Sequence, residues 1–268
     1  MTTATSSRPS SSSASHASAE RQWRLVEVLA NCPLLFDIPV AQLDEIAKVC
    51  TVVSVKAQEH AFLEGEPCRG IWVIAKGRVR LYHADAQGRQ QVVSFRGPNY
   101  PLELAPALDG RPHTANAMAM EDCELVFLPR AAMSALAAKY PITIRNTLDQ
   151  LCLEVRQRDI AVAIASLRDA RGRVGCTILQ MARQYGSPSK CGTVAIDYRL
   201  TRQDIADRSG VTLETSIRVL SDLQRRSLVR TRTQYIEILN LDGLRKLCEC
   251  GECELDCSVF AKPRPRPA

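Results

Sequence analysis

The pattern of apolar and polar positions changes along the chain, and each change predicts a different kind of structure. Between about residues 20 and 48, apolar residues recur at helical spacing. Between about residues 49 and 128 they form short runs rich in β-branched residues, such as Val52–Val55 and Gln91–Phe95, with glycine- and proline-containing turns between the runs. Many short strands at regular spacing predict a small antiparallel barrel or sandwich.

A continuous helical pattern follows, from Pro141 to about Ala170. Its apolar positions repeat at nearly heptad spacing, interrupted at Arg158 and Asp159; they are Ile144, Leu148, Leu151, Val155, Val162 and Ala165. A helix of about 30 residues with one apolar seam is too long to be covered by one small barrel, so we expect it to pair with a second copy. The alternative is a helix that packs on its own domain.

The segment Leu200–Arg226 predicts two short helices joined at a glycine, the helix-turn-helix arrangement. The first helix is expected over Arg202–Arg208 and the second over Leu213–Arg226. A hairpin, or wing, is expected from Leu228–Thr231 and Tyr235–Leu239. The residues expected to cap these helices or turn the chain are Thr201, Asp204, Gly210 and Thr212.

The second helix is expected to enter the major groove of DNA with its N-terminal end. There Arg218 can make a bidentate contact with guanine, and Glu214 can accept from cytosine. Ile217 is assigned to the core with Leu220 and Leu223. The residues expected to contact DNA are Arg202, Gln203, Thr212, Glu214, Ser216, Arg218 and Arg225.

Three of these residues, Arg202, Gln203 and Arg225, are better placed for phosphates, which position a protein without specifying sequence. A lone Glu/Arg pair is equally compatible with a solvated helix face. The complete order of helix, glycine, helix and wing favours DNA binding.

The order of strand-rich domain, long helix and winged helix-turn-helix resembles the CRP/FNR family of bacterial transcription regulators. The resemblance covers about residues 22–247, and the segment LTRQDIADRSGVTLETSIRVLSDLQ is highly specific to that family. It implies an α+β fold with an N-terminal antiparallel β-roll of the cyclic-nucleotide-binding kind. It also implies that Glu214 and Arg218 read bases, in a half-site of the TTGA or TGA kind. FNR-type readers have a serine where this chain has Ile217.

A family member of this kind is expected to act as a homodimer on an inverted repeat in double-stranded DNA, with RNA polymerase as a further partner. The expected segments are a disordered stretch (1–19), a β-roll sensor-like domain (20–140), a dimerisation helix (141–171), a winged helix-turn-helix domain (172–247) and a cysteine-rich cluster with a basic tail (248–268).

Four of the eleven cysteines lie within ten residues, with the spacing C-x-C-x2-C-x3-C; they are Cys248, Cys250, Cys253 and Cys257. Thiolates this dense are typical of a metal or cluster site. Some family members are similar in holding an iron–sulfur cluster at the C-terminal end, so a [4Fe–4S] cluster is the first expectation and a four-thiolate zinc the second. A thiol/disulfide switch or an inert tail is also compatible with the spacing.

The β-roll offers less for a ligand. Cyclic-nucleotide-binding members of the family use a Gly-Glu-Leu turn and an Arg-Ser pair, where this chain has Leu102-Glu103-Leu104 and His113-Thr114. Histidine is a poor substitute for a fixed cation, so cyclic nucleotide binding is not expected. The N-terminal cysteine cluster of oxygen-sensing members is absent because only Cys32 lies in that region. No pair of histidines suggests axial haem ligands.

Composition adds few constraints. The net charge of +6 over 268 residues permits nucleic-acid binding without requiring it. The chain has no apolar run long enough for a membrane span and no secretory signal pattern, so a cytoplasmic protein without a membrane partner is expected. The absence of Rossmann, P-loop and nucleophile–base motifs argues against an enzyme. Two rivals are an iron–sulfur redox protein, and a regulator that senses a small ligand in the β-roll with a structural zinc or thiol switch at the C-terminus.

Overall fold

A computed structural model describes residues 22, 24–188, 192–232 and 235–249. Contacts divide the chain into two compact units. The first contains residues up to Val79 and Arg96–Leu148, and the second contains Arg80–Phe95 and residues from Asp149 onward. The hairpin of residues 80–95, which the strand pattern assigns to the β-roll, is therefore grouped by its contacts with the C-terminal part of the chain.

The helices and strands alternate as short elements before one long helix and a C-terminal group. In chain order they are α1 (24–30), a 3-10 helix (Pro33–Leu35), α2 (Val40–Val49), β1 (Thr51–Val55), β2 (His60–Phe62), β3 (Gly70–Lys76), β4 (Val79–Ala84), β5 (Gln90–Arg96), β6 (Pro101–Leu102), α3 (Leu104–Asp109), β7 (Asn116–Ala119), β8 (Cys123–Pro129), α4 (Arg130–Lys139), α5 (Ile142–Leu167), α6 (Ala170–Tyr185), β9 (Gly186–Pro188), β10 (Val194–Ile196), α7 (Arg202–Ser209), α8 (Leu213–Arg225), β11 (Val229–Arg232), β12 (Tyr235–Ile238) and α9 (Leu241–Leu247).

The first unit is built on a four-stranded antiparallel sheet with the order β1-β8-β3-β6. Strand β3 lies inside this sheet, and Ile71, Val73 and Ile74 are almost completely buried. A strand with apolar residues on both faces needs cover on both sides. The pair of β2 and β7 adds further antiparallel structure. The predicted antiparallel character of this region is confirmed.

Helix α5 has apolar residues on two different sides. Ile160 and Ile164 are buried within the second unit, with 7% and 8% of their surface exposed. The predicted seam lies elsewhere on the helix, and four of its residues are at least half exposed in the single chain: Ile144, Leu148, Val155 and Val162. An apolar stripe that its own chain leaves in contact with water is typical of an interaction surface.

The second unit is organised around α6, most of which is buried. Asp169 caps this helix by accepting a hydrogen bond of 2.7 Å from the backbone of Gly172. Gly175 forms a notch in α6 that is filled by the sulfur of Cys248, which follows α9 and is 1% exposed. A Cβ at position 175 would overlap that sulfur, so the notch requires glycine.

A second four-stranded antiparallel sheet has the order β11-β12-β10-β9. Strands β11 and β12 form the predicted wing, in which Val229 pairs with Ile238 and Arg232 with Tyr235. Among the helices of the described residues, none is both long and apolar enough to cross a bilayer.

We predict that Gly175→Ala destabilises the protein by about 1–3 kcal/mol, because the added methyl group meets the sulfur of Cys248 in a closely packed interface. Without that overlap, alanine would stabilise a helix interior by about 1 kcal/mol relative to glycine. Urea denaturation gives the measurement.

The variant Gly175→Ala/Cys248→Ala removes the sulfur, and the remaining Cβ of residue 248 lies 3.6 Å from the new one, an ordinary contact. It is expected to recover most of the loss. Gly172→Ala, in the same helix, is the control and should cost less. If the single and double variants lost the same stability, the proposed overlap between residue 175 and the sulfur of Cys248 would be wrong.

Candidate nucleic-acid interface

The first helix of the helix-turn-helix, α7, begins with a complete capping box. The side chain of Thr201 accepts a hydrogen bond of 3.0 Å from the backbone N–H of Asp204, and the carboxylate of Asp204 accepts one of 2.9 Å from the backbone of Thr201. Gly210 ends the helix in the left-handed region, with φ of 61°. The predicted cap and turn are confirmed.

The second helix, α8, begins at Leu213 with Thr212 as its cap. The oxygen of Thr212 accepts a hydrogen bond of 3.2 Å from the backbone of Thr215. The inner face of α8 contains Ser216, Val219, Leu220 and Leu223. These residues are spaced three or four apart and form a single buried stripe.

Two sequence-based assignments on α8 are wrong. Ser216 was expected on the DNA-facing side, but it is completely buried and its hydroxyl donates to the carbonyl of Arg202 over 3.2 Å. Ile217 was expected in the core, but it is 37% exposed. The stripe through Leu220 and Leu223 continues to position 216, and position 217 lies about 100° further around the helix. The buried position beside Arg202 is occupied by a small polar side chain, and hydrophobicity alone does not reveal that.

The exposed N-terminal half of α8 brings together the two predicted base readers. Glu214 and Arg218 are both exposed and lie one turn apart. Arg202 and Gln203 are exposed at the start of α7, where the side chain of Gln203 donates to Asp207 over 2.6 Å.

Arg225 is not part of this group. It is the last residue of α8, about 10 Å along the axis from Arg218, and it donates to Asp222 over 3.3 Å. In the wing, Arg230 forms a cross-strand ion pair of 3.0 Å with Glu237. The phosphate contacts assigned to Arg202, Gln203 and Arg225 remain predictions.

A buried cation that the sequence did not reveal supports α7. Arg80, on β4, lies 3.4 Å from a carboxylate oxygen of Asp204 and 3.8 Å from one of Asp207. All three side chains are largely buried, with 13% of Arg80 and 9% of each aspartate exposed. Burial raises the pKa of Asp207, whereas the hydrogen bond from Gln203 and the charge of Arg80 act in the opposite direction.

Further contacts hold the hairpin of β4 and β5 against α7 within the same unit. The side chain of Gln91 donates to the carbonyl of Arg208, and Arg208 donates back to the carbonyl of Val92, each over 3.3 Å. On the other side, Ser209 donates to Thr177 of α6 over 2.9 Å. Helix α7 is therefore held by the β4–β5 hairpin on one side and by α6 on the other.

The cysteine run is described only at its start. Cys248 is buried, and Glu249, with φ of 52°, is paired with Arg168. Cys250, Cys253 and Cys257 lie outside the described residues. Within the described ranges, no three His, Cys, Asp or Glu side chains are grouped as a metal site.

Several of the scattered cysteines have pKa values raised by burial. Burial raises the pKa of Cys32 to about 12 and that of Cys50 to about 11. Burial also raises the pKa of Cys68 and Cys123. Without a bound metal, thiols of this kind stay protonated at neutral pH.

In the first unit, the residues at the positions that cyclic-nucleotide-binding family members use for their ligand contact one another. Glu103 and His113 are both buried and share a hydrogen bond of 2.8 Å between a carboxylate oxygen and Nδ1. The hydroxyl of Thr114 donates to the same carboxylate over 2.6 Å, and Phe62 stacks on the imidazole at 3.7 Å. The direct bond between Glu103 and His113 was not predicted from the sequence.

Comparison with known proteins gives two domain matches. Residues 52–140 match the cyclic nucleotide-binding domain, and residues 172–247 match the Crp-like helix-turn-helix domain. The CRP-like cAMP-activated global transcriptional regulator of Mycobacterium tuberculosis is 24% identical, over 82% of this chain and 98% of its own. The Fumarate and nitrate reduction regulatory protein of Vibrio cholerae is 26% identical, over 79% of this chain and 84% of its own.

Among solved structures, FixK2 from Bradyrhizobium japonicum is similar with a TM-score of 0.66 and 26% identity, over 74% of this chain and 97% of that one. An antiparallel β domain, a long helix and a C-terminal helix-turn-helix together define a DNA-binding transcription regulator, and the predicted fold class is confirmed. The chain belongs to the CRP/FNR family.

We predict that Arg80→Met destabilises the protein by about 2–3 kcal/mol at pH 8, because Asp204 and Asp207 lose the cation that compensates their buried charge. Arg89→Met is the matched control in the same hairpin. Its ion pair with Asp85 is at the surface, so its loss should cost less than about 0.5 kcal/mol. Urea denaturation measures both.

The deficit of Arg80→Met should shrink as the pH falls from 8 to 5. Burial already raises the pKa of Asp207 and the charge of Arg80 opposes this, so removing the arginine raises that pKa further and protonation then stabilises the folded variant. A deficit that does not change with pH would show that Arg80 acts through packing alone.

Proposed function

We propose that this regulator is a homodimer that binds an inverted repeat and responds to an oxidant or a redox-active gas. Its sensor would be a [4Fe–4S] cluster on Cys248, Cys250, Cys253 and Cys257. The single observation that carries the proposal is the attachment of the cysteine run to the DNA-binding unit, through Cys248 in the notch of α6 and Glu249 on Arg168.

The exposed seam of α5 supports the dimer. Leu148, Val155 and Val162 expose 55%, 56% and 66% of their surface, and they repeat at the spacing of a coiled-coil seam. A second copy offers the same stripe, so a two-fold pair of α5 helices would bury both. Two recognition helices about one DNA turn apart then match an inverted repeat.

The position of the cysteine run supports its role in regulation. Arg168 lies between α5 and α6, and Glu249 is the residue that follows Cys248. A change in the conformation of the run would therefore act on the junction between the dimerisation helix and the first helix of the DNA-binding domain. Relatives include proteins named "Anaerobic regulatory protein" in Haemophilus influenzae and Pasteurella multocida.

The backbone around Cys248 is compatible with a cluster ligand. Regular helix ends at Leu247, and Glu249 adopts a left-handed conformation that turns the chain directly after Cys248. Cysteines two apart point away from each other on a regular helix, so a cluster needs a break of this kind. A cluster, when bound, would supply an electron-transfer centre that oxidants can alter. The sulfur of Cys248 is 1% exposed and fills the notch at Gly175, so it would have to leave that notch to bind a cluster. Glu249 connects the start of the run to Arg168.

Zinc on the same cysteines is the alternative to a cluster, because four thiolates can bind either a zinc ion or an iron–sulfur cluster.

A small ligand in the β-roll is a second alternative, and the cAMP-activated relative favours it. The Glu103–His113 bond counts against a cyclic nucleotide, because the carboxylate and imidazole already satisfy each other. An iron–sulfur redox carrier is a further alternative, but electron transfer would not need a helix-turn-helix domain. RNA polymerase contact and a cytoplasmic location belong to the same proposal.

We predict that Val155→Glu abolishes the dimer with little effect on the folding of the single chain, because this side chain is exposed until a partner covers it. A charge in the seam must lose its hydration when the dimer forms. Analytical ultracentrifugation gives the oligomeric state. Arg156→Glu, exposed beside the seam, is the control and should remain dimeric. A dimeric Val155→Glu would contradict the proposed seam.

We predict that anaerobic reconstitution with iron and sulfide gives a brown protein, and that Cys253→Ser loses the iron and sulfide. Cys152→Ser, an exposed cysteine outside the run, is the matched control and should keep both. Metal and sulfide analysis with absorption spectroscopy gives the readout. Colourless protein with bound zinc would favour the alternative metal.

Regulation is tested separately by measuring DNA affinity before and after exposure to air. We expect the affinity of the wild type to change and that of Cys253→Ser to stay constant. Equal affinities of the loaded and air-exposed wild type would overturn the sensor while leaving the metal site in place.

A further inference from the structure

The exposed face of α8 contains two large apolar side chains among its polar ones. Leu213 is 40% exposed and Ile217 is 37% exposed. They are four residues apart, so they lie one above the other on the same side of the helix. Leu213 is the first residue of α8, at the end that a helix-turn-helix inserts into the major groove.

The position of this pair on the reading surface indicates what covers it. Glu214 follows Leu213, and Arg218 follows Ile217, so the apolar pair runs beside the pair of base readers. When the helix enters the groove, both pairs meet base edges. The apolar group that a base presents there is the C5 methyl of thymine, and contact with it distinguishes thymine from the other bases.

The chemistry of the side chains fits such a contact. Isoleucine is branched at Cβ and has one strongly preferred rotamer in a helix, so it keeps its shape before DNA binds. Neither side chain can donate or accept a hydrogen bond, so a polar base edge opposite them would lose its water without a replacement. A pair of this kind therefore selects methyl groups and disfavours cytosine and exposed polar edges.

We propose that Leu213 and Ile217 are specificity-determining residues that read thymine methyl groups, in base pairs next to those contacted by Glu214 and Arg218. The half-site then combines two kinds of readout, hydrogen bonds from the charged pair and apolar contact from the neighbouring pair. The structure assigns this role to Ile217 because the buried Ser216 holds it outward.

The test uses the full-length protein and duplex DNA selected from random sequence by the wild type. Each thymine of the selected site is replaced in turn by deoxyuridine, which lacks only the C5 methyl. We expect one or two positions in each half-site to weaken wild-type binding about fourfold, the effect of losing one buried methyl group. In Ile217→Ala or Leu213→Ala, the same replacement should have little further effect.

Ser221→Ala is the matched control, because Ser221 is exposed on α8 one turn beyond Ile217. It should keep the full sensitivity to deoxyuridine. Arg218→Ala should also keep it while losing discrimination at the neighbouring guanine. Circular dichroism and thermal unfolding check that the exposed substitutions leave the fold intact.

In a second experiment, the methyl-sensitive thymine is first changed to cytosine. That cytosine is then replaced by 5-methylcytosine. Methyl reading predicts recovery of part of the lost affinity in the wild type and none in Ile217→Ala. The proposal is overturned if no thymine is sensitive to loss of its methyl, or if both alanine variants keep the wild-type sensitivity. Failure to select any sequence would overturn DNA reading as a whole.

Discussion

The geometry of the reading motif depends on one buried carboxylate, that of Asp204. It closes the capping box of α7, and it faces Arg80 from the β4–β5 hairpin. A buried charge is tolerated only when hydrogen bonds and an opposite charge compensate it. The start of α7 is therefore specified twice, by its own cap and by a side chain more than a hundred residues away in sequence. Because α7 packs against α8, this carboxylate also helps to fix the helix whose outer face is expected to meet DNA.

The two faces of α8 show how far the sequence alone could predict the site. Capping residues and the turn glycine follow local rules, and Thr201 and Gly210 could be placed correctly. Glu214 and Arg218 are exposed as predicted, and their contacts with bases stay a prediction. Ser216 and Ile217 could not, because the angle at which α7 and α8 meet decides which neighbour is buried. Hydrophobicity favours isoleucine for the core, whereas the buried position is occupied by Ser216, whose hydroxyl donates to the carbonyl of Arg202.

Tertiary contacts also explain the other features that the sequence did not predict. The strand pattern predicted β4 and β5 but not that their hairpin contacts α7, because long-range ion pairs such as Arg80–Asp204 have no local signature. The notch that joins Gly175 to Cys248 was not predicted either. The sequence alone does not show whether a glycine within a helix is required by close packing or is only tolerated there. The fold class followed from periodicity and order of elements, because those are local properties repeated along the chain.

The buried hydroxyl of Ser216 has a consequence for how regulators of this kind diverge. Because the contact with α7 is made by the inner face of α8, the outward residues can be exchanged without disturbing that contact. Substitutions at solvent-exposed positions usually cost little stability. A descendant could therefore acquire a new operator by a few surface mutations while inheriting the same scaffold, so recognition can drift much faster than architecture.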